Sequence, residues 1–363
     1  MEEFPMKKAI YFFQYLPPWR IDVFNGMAKQ YDLTIVFFNA ELEGFTYDRK
    51  DLLSRLKGMD VRFLDTGFNV GTRPVRTGIA SIVKEIRPDV VFVHEYSPVS
   101  VTLALLRRRF GYRLYVTTSD NLQWAEASSG LKAAARKFVL KRSRGVILYS
   151  RPVERFYREN FPWLRTGICP NIQDPSTLLS YRKDFRDPLP GPSRVILYVG
   201  RLVAIKQLDR LMDAFASVDN AGYILALVGE GGERERLENH AVQLGIRDKV
   251  HFEGFQFGAS LYQWYDRADF SVLASSHEAF GAVVNESLVL GCPVLASRYI
   301  GSLDYIDGTN GIVFDPLDPE GFRRALSEAM ARFPRPDGPR NSLMRVSFEE
   351  SVRTFKTIDD DQL

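Results

Sequence analysis

The sequence predicts an α/β protein made of two doubly wound domains. Short, near-continuous apolar runs alternate with helical patterns, the cycle stops at Pro188-Leu-Pro-Gly-Pro192 and restarts, and 363 residues suffice for two cores. Apolar runs separated by helices indicate parallel strands covered on both faces. In the first half the strands fall at 9–15, 33–38, 61–64, 90–94, 113–118 and 145–149. Helices are expected there at 19–30, 74–87, 98–110, 130–143 and 152–160. In the second half the strands fall near 194–199, 223–228, 250–253, 270–274, 293–296 and 312–314. The helices between and after them fall near 206–217, 232–244, 258–267, 281–290 and 319–332. The domains are therefore expected at 1–172 and 190–345, joined by a segment around 170–192. A last helical pattern runs from Ser347 to Thr357.

The composition excludes several classes. It is 45% hydrophobic and 26% charged, as in a globular protein, and no stretch approaches the roughly 20 apolar residues of a membrane span. Met1-Glu-Glu-Phe-Pro-Met-Lys-Lys8 has no basic region ahead of an apolar core, so a secretory signal is not expected. Two cysteines, Cys169 and Cys292, make no disulfide framework and fit a reducing cytosol. Four histidines and two cysteines lack metal-ligand spacing, so no metal is expected. The net charge of +3 hides an asymmetry. Residues 1–170 hold 27 basic and 17 acidic side chains, leaving 21 and 28 for the rest. The basic excess concentrates at Arg107-Arg-Arg109 and along 131–144, which can form an amphipathic helix. That helix is either a solvated face or a surface for anionic lipid or a lipid-diphosphate acceptor. Aromatics do not interleave with these charges, so no nucleic acid partner is expected.

The most informative stretch is Ser276-His-Glu-Ala-Phe-Gly-Ala-Val-Val-Asn-Glu286. The apolar strand 270–274 leads into it, and the small residues Gly281 and Ala282 open a helix. Glu278 in the loop and Glu286 in the helix therefore flank a helix N-terminus. Such a terminus offers unpaired N–H groups and a partial positive charge to an anion. A phosphate held between carboxylates that bind hydroxyls suggests a nucleotide-sugar. Arg201 and Lys206 follow a strand ending at Gly200, at the carboxyl edge where open α/β sheets bind ligands. Cations there would stabilise a departing diphosphate more than the ground state. They could also be an ordinary solvated pair.

Glu278, Glu286 and their spacing resemble the Glu-x7-Glu signature of the family-4 retaining glycosyltransferases, which have the two-domain GT-B fold. Tyr198-Val-Gly-Arg-Leu-Val-Ala-Ile-Lys206, Val228-Gly-Glu-Gly-Gly-Glu-Arg234, His251-Phe-Glu-Gly-Phe255 and Asp307-Gly-Thr-Asn-Gly311 resemble further family segments in order, over about residues 194–330. The resemblance implies two Rossmann-like domains facing a central cleft, the first accepting and the second binding a UDP- or GDP-sugar. It also implies a terminal helix, within 347–363, returning to the first domain. By resemblance, Arg201 and Lys206 hold the donor phosphates, Glu278 sits beside the donor sugar at the reaction centre, and Glu286 binds the ribose. Each carboxylate could instead be structural, Glu278 as a dipole-complementing residue and Glu286 as an ordinary helix residue. Phe280, Gly281 and Ala282 would present backbone N–H groups, although Phe280 could equally be core. Gly229 and Gly254-Phe255 would wall the nucleobase, or be ordinary turns.

The first half departs from the family. Where many members carry a histidine, Thr117-Thr-Ser-Asp-Asn121 offers Asp120 as the nearest catalytic candidate. His94 could face the cleft or be a satisfied strand-end residue, and Arg20 could meet a phosphate or be structural. Asp359-Asp-Asp361 reads as a solvated tail. The expected activity is transfer from a nucleotide-sugar, a co-substrate rather than a cofactor, to a glycan or lipid-linked hydroxyl in polysaccharide or glycolipid assembly. A cytoplasmic, membrane-peripheral enzyme is implied. A GT-B epimerase, a phosphorylase or a non-catalytic nucleotide-sugar binder are the alternatives.

Overall fold

The structure, a computed structural model, describes residues 5–39, 48–70, 73–189, 191 and 193–360. The outermost ends of the expected domains, Pro190 and Pro192 of the linker, and Asp361 lie outside the described residues. The chain divides into two compact units, residues 1–172 with 348–363 and residues 173–347.

The first unit is built on seven parallel strands: β1 (Lys8–Phe13), β2 (Asp32–Phe37), β3 (Met59–Phe63), then, after the antiparallel hairpin β4 (Gly67–Val70) and β5 (Arg73–Arg76), β6 (Val90–His94), β7 (Arg113–Thr117), β8 (Gly145–Leu148) and β9 (Arg165–Ile168). The sheet order is β3-β2-β1-β6-β7-β8-β9. All five residues of β6 are buried, as are Ala9 to Phe13 of β1. That is the signature of strands covered by helices on both faces. The hairpin corrects the expected helix 74–87, whose helical part is only Ile79–Ile86. Cross-strand pairing of Gly67–Val70 with Arg73–Arg76 holds the first residues of that run extended. The helix 19–30 begins with a 3-10 turn at Pro18–Arg20 and is regular over Ile21–Ala28.

The helix Phe348–Thr357 packs on this first unit. Phe355 and Val352 are buried, and a Cβ at Gly26 would lie 2.7 Å from Val352 Cγ1, so glycine permits close helix approach. Tyr31 donates to the Phe355 carbonyl at 2.9 Å. Asp359 is 1% exposed and accepts from Lys7 at 2.8 Å, Arg113 at 3.0 Å and Tyr115 at 3.1 Å. The solvated tail expected at 359–361 is thus corrected at Asp359, a carboxylate desolvated but satisfied by two cations and a phenol.

The second unit contains β10 (Arg194–Val199), β11 (Tyr223–Val228), β12 (Val250–Gly254), β13 (Phe270–Leu273), β14 (Val294–Ser297) and β15 (Gly311–Phe314), all parallel in the order β12-β11-β10-β13-β14-β15. On the helix Leu208–Ser217, Leu208, Leu211, Met212 and Phe215 are buried at helical spacing and cover one face of this sheet. Each fully buried side chain of this size contributes about 1.5–3 kcal/mol of transfer free energy. The strand order reverses between β10 and β13. At such a switch point the flanking loops diverge and leave a crevice at the carboxyl ends of the strands.

Candidate functional site

The loops at the β10/β13 switch point carry Arg201, Lys206 and Glu278. After β10, the Gly200 N–H donates to the Val228 carbonyl at 3.0 Å, and the Gly229 N–H donates to the Gly254 carbonyl at 2.7 Å. Three strand ends are thereby laced together. Gly229 has a φ of 145°, and a Cβ there would lie 1.9 Å from the Gly200 carbonyl oxygen. Only glycine lets these two loops meet. Tyr198, buried beneath them, donates to the Arg201 carbonyl at 2.7 Å and fixes that turn. Burial pushes the Tyr198 phenol well above its ordinary pKa, and the Glu278 charge adds to the shift. Arg201 itself is exposed.

Lys206 ends a 3-10 turn at Ala204–Lys206, and its ammonium pairs with the Glu278 carboxylate. Their side chains are 12% and 23% exposed, which desolvates the pair while leaving it open to a ligand. The backbone enforces the pairing: the Ser276 N–H donates to the Ile205 carbonyl at 2.9 Å, and the Glu278 N–H donates to the Tyr299 carbonyl at 3.1 Å. Gly281 then turns the chain with a φ of 87° into the helix Ala282–Val289. A Cβ at Gly281 would meet Leu273 at 2.9 Å and Glu278 Cγ at 3.5 Å, which places the helix start directly beside Glu278. No side chain caps that helix and no acidic residue occupies its first turn. The first turn of this helix, beside Glu278, therefore carries neither a side-chain cap nor a carboxylate to complement its dipole. The Phe280 side chain is 3% exposed and packs edge-to-face on Tyr305 at 6.1 Å. It belongs to the core.

Glu286 lies one turn into the helix. Tyr265 donates to its Oε2 at 3.0 Å and Gln173 Nε2 to its Oε1 at 3.4 Å. Burial raises the Glu286 carboxyl to about 7, against the opposing pull of these two hydrogen bonds. At the end of β12, Phe255 and Phe257 are 51% and 68% exposed, with ring centroids 6.1 Å apart. Tyr265, Gln173 and Phe257 escaped the reading of the sequence. Tyr265 looks there like a core aromatic, and Gln173 meets Glu286 only through the fold.

In the first unit Asp120 is enclosed. Its Oδ2 accepts from Tyr157 at 2.7 Å and from Arg136 at 3.3 Å. Burial raises its carboxyl pKa and the neighbouring Glu95 adds to that rise. Glu95 follows β6 with a φ of 63°, a left-handed backbone unusual for a non-glycine residue. Its carboxylate accepts from Thr118 at 2.9 Å and from the Ser119 amide and hydroxyl at 2.7 Å each, so it organises the loop that carries Asp120. His94 is buried, stacks on Phe13 at 4.1 Å and shares a 3.0 Å hydrogen bond with Thr117. Burial, with the Arg20 charge, lowers its pKa to about 3 and keeps it neutral. Arg20 is fully buried and donates to the Pro170 carbonyl at 2.8 Å. Both residues lie in the unit's interior.

The basic segment is the helix Gly130–Leu140 and the turn after it. Arg136 points inward, 6% exposed, and donates to the Ala125 carbonyl at 2.7 Å. Lys132, Lys137 and Lys141 are exposed, and Leu131 is 90% exposed. Beside them lies an open cavity of about 740 Å³, lined by Lys137, Lys141, Phe156, Phe161 and Trp163 among others. No helix among the described residues is long and apolar enough to cross a membrane.

Two parallel-sheet α/β units of this kind define the GT-B fold. A glycosyltransferase from Rickettsia africae superposes with a TM-score of 0.70 at 14% identity, over 98% of this chain and 100% of that one. Anabaena HepE, solved in complex with UDP and glucose, superposes with a TM-score of 0.64 at 18% identity, over 91% and 96% of the two chains. Residues 181–336, most of the second unit, match the family model described as glycosyl transferases group 1. The lipopolysaccharide core biosynthesis glycosyltransferase LpsE of Rhizobium meliloti is 36% identical over 143 residues, 39% of this chain and 41% of its own. The chain thus spans about two fifths of that relative's length.

Proposed function

We propose that this protein is a retaining glycosyltransferase of family 4, moving a sugar from a nucleotide-diphosphate sugar to an acceptor hydroxyl. The observation that carries the proposal is the desolvated Lys206–Glu278 pair beside the uncapped start of the helix Ala282–Val289. Breaking the bond between the anomeric carbon and the phosphate oxygen leaves negative charge on the diphosphate. Lys206, Arg201 and the helix amides would stabilise that charge as it grows. Glu278 would accept hydroxyl hydrogen bonds from the donor sugar, and Glu286 those of the ribose. Gly229, Gly254 and Phe255 would wall the nucleobase. The acceptor would attack on the face that the diphosphate leaves, whose oxygen takes the acceptor proton. HepE's complex with UDP and LpsE's name support a nucleotide-sugar donor and an acceptor in lipopolysaccharide-type assembly. Asp120 is the acceptor-side candidate, acting through its enclosed carboxyl. The residues named supply the charge stabilisation without a metal.

Incubation with UDP-, GDP- and ADP-sugars and an acceptor alcohol, followed by NMR of the product, tests this. The expected product keeps the donor's anomeric configuration, and its rate is unchanged by a chelator. An inverted product overturns retention. Epimerised donor without transfer favours an epimerase, consumption of a sugar phosphate favours a phosphorylase, and nucleotide binding without turnover favours a binder.

The exposed Lys132, Lys137, Lys141 and Leu131, beside the aromatic-lined cavity, suit an anionic lipid surface from which a lipid-linked acceptor would be drawn. Replacing the three lysines by glutamate is expected to weaken partition onto phosphatidylglycerol vesicles by about a hundredfold, since each lysine near such a surface is worth about 1 kcal/mol. Equal partition of the variant and wild type in a flotation assay would remove this helix from membrane binding.

A further inference from the structure

Gln173 and Tyr265 reach Glu286 from two directions. Tyr265 lies on the helix Ala259–Arg267, which covers the sheet, and is wholly buried. Gln173 comes just before the helix Pro175–Ser180, whose cap is the Asp174 side chain. One donor meets each carboxylate oxygen, at 3.0 Å on Oε2 and 3.4 Å on Oε1. Two donors on opposite oxygens fix the plane of a carboxylate, which a single donor cannot do. The amide of Gln173 has one further feature. Its Oε1 is buried and has no hydrogen-bond partner among the described residues. An unpaired buried acceptor is costly unless something else satisfies it. The amide cannot turn to relieve this, because its oxygen would then face the Glu286 carboxylate.

We propose that Tyr265 and Gln173 are positioning residues for Glu286, holding its carboxylate to receive the ribose hydroxyls of a nucleoside diphosphate, while Gln173 Oε1 accepts a hydrogen bond from the same ligand. This rests on the reading of Glu286 as the ribose-binding residue. Among the described residues, the polar groups that shift Glu286 are Tyr265 and Gln173, and no charged side chain contributes. The Tyr265 phenol stays protonated, pushed well up by burial first and by Glu286 second, so it remains a donor throughout the accessible pH range. Glu286 accepts best when ionised. Removing either donor takes away a stabiliser of the ionised form, so its pKa rises and binding fails at a higher pH.

Calorimetric titration of UDP, GDP and ADP, and of the 2′-deoxy form of the tightest, between pH 5.5 and 9 tests the proposal. Wild-type affinity is expected to fall as pH drops through about 7, the value to which burial raises Glu286. Tyr265→Phe and Gln173→Met are each expected to move that midpoint upward and to weaken binding at pH 7 about tenfold. Removal of the 2′-hydroxyl is expected to cost wild type about tenfold and Glu286→Gln nothing further, the non-additivity of groups that touch. Tyr265 is interior, so Gln173→Met, at a partly exposed position, carries the test if Tyr265→Phe unfolds. If Glu286→Gln loses binding while Gln173→Met keeps both the wild-type midpoint and affinity, the positioning role is overturned and the ribose reading stands. If Glu286→Gln binds all three nucleotides as wild type does, the ribose reading itself is overturned.

Discussion

Lys206→Ala is expected to lower kcat for sugar transfer by about 10²–10³-fold, the loss seen when one preorganised charge-stabilising donor is removed. The effect should fall on kcat more than on KM, because charge on the leaving diphosphate grows toward the transition state. The desolvated setting enlarges it, since a cation beside a low-dielectric wall acts more strongly than one in water. Lys206 is 12% exposed and held against Glu278, so it stands at its post before any donor arrives. Alanine at 206 also leaves Glu278 without its cation, a carboxylate facing incoming phosphates. Glu278→Ala should therefore be nearly as inactive, and the double variant should lose less than the two single losses combined. Lys206→Arg keeps the charge but spreads it over a planar fork, and recovers part of the rate. Steady-state kinetics with a saturating acceptor decide the matter. A kcat for Lys206→Ala close to wild type would remove this residue from the chemistry.

The second large effect concerns stability. Phe355→Ala is expected to destabilise the first unit by about 3–5 kcal/mol, the usual cost of emptying a buried phenylalanine site. Phe355 is fully buried, edge-to-face with Phe92 at 5.2 Å and 6.0 Å from the Tyr11 ring. β1 and β6, which carry those two rings, are the centre of the sheet and have no room to collapse into the void. Two units with separate cores need not unfold together. Urea unfolding followed by circular dichroism should show a transition for the first unit at lower denaturant, with that of residues 173–347 unmoved. A single unshifted transition would show that this helix is dispensable to the sheet.

Six of the seven parallel strands of the first sheet, and all six of the second, were legible because strands buried on both faces write themselves as unbroken apolar runs, as at Val90–His94 and Arg194–Val199, whereas Arg165–Ile168, half-buried throughout, writes no such run. The strand-to-helix loops at Gly200 and Gly281 were legible too, because each needs a backbone that glycine supplies. What escaped was set by partners distant along the chain. Asp359 looks like tail until Lys7, 352 residues away, is placed beside it. Gln173 looks like linker until the fold brings it to Glu286, 113 residues on. Arg136 counted as surface charge in a basic run, yet its guanidinium is taken by Asp120 and a backbone carbonyl. The pairing of 67–70 with 73–76 hid behind a plausible helix because its signal lies between two strands and not within either. Periodicity reports which face of an element is covered and is silent on what covers it.

The chain's last helix sits in its first unit, under Tyr31 and against Phe92. During synthesis, then, the ribosome makes all of residues 173–347 before the segment that seals the earlier sheet. The sheet of the first unit is therefore sealed only after the second unit has been made. Until Phe355 emerges, the aromatic socket formed by Tyr11, Tyr31 and Phe92 stands open to water and to other nascent chains. A chain that stalls late would therefore display a finished second unit tethered to a first one still exposing its interior, a natural target for chaperone capture or degradation.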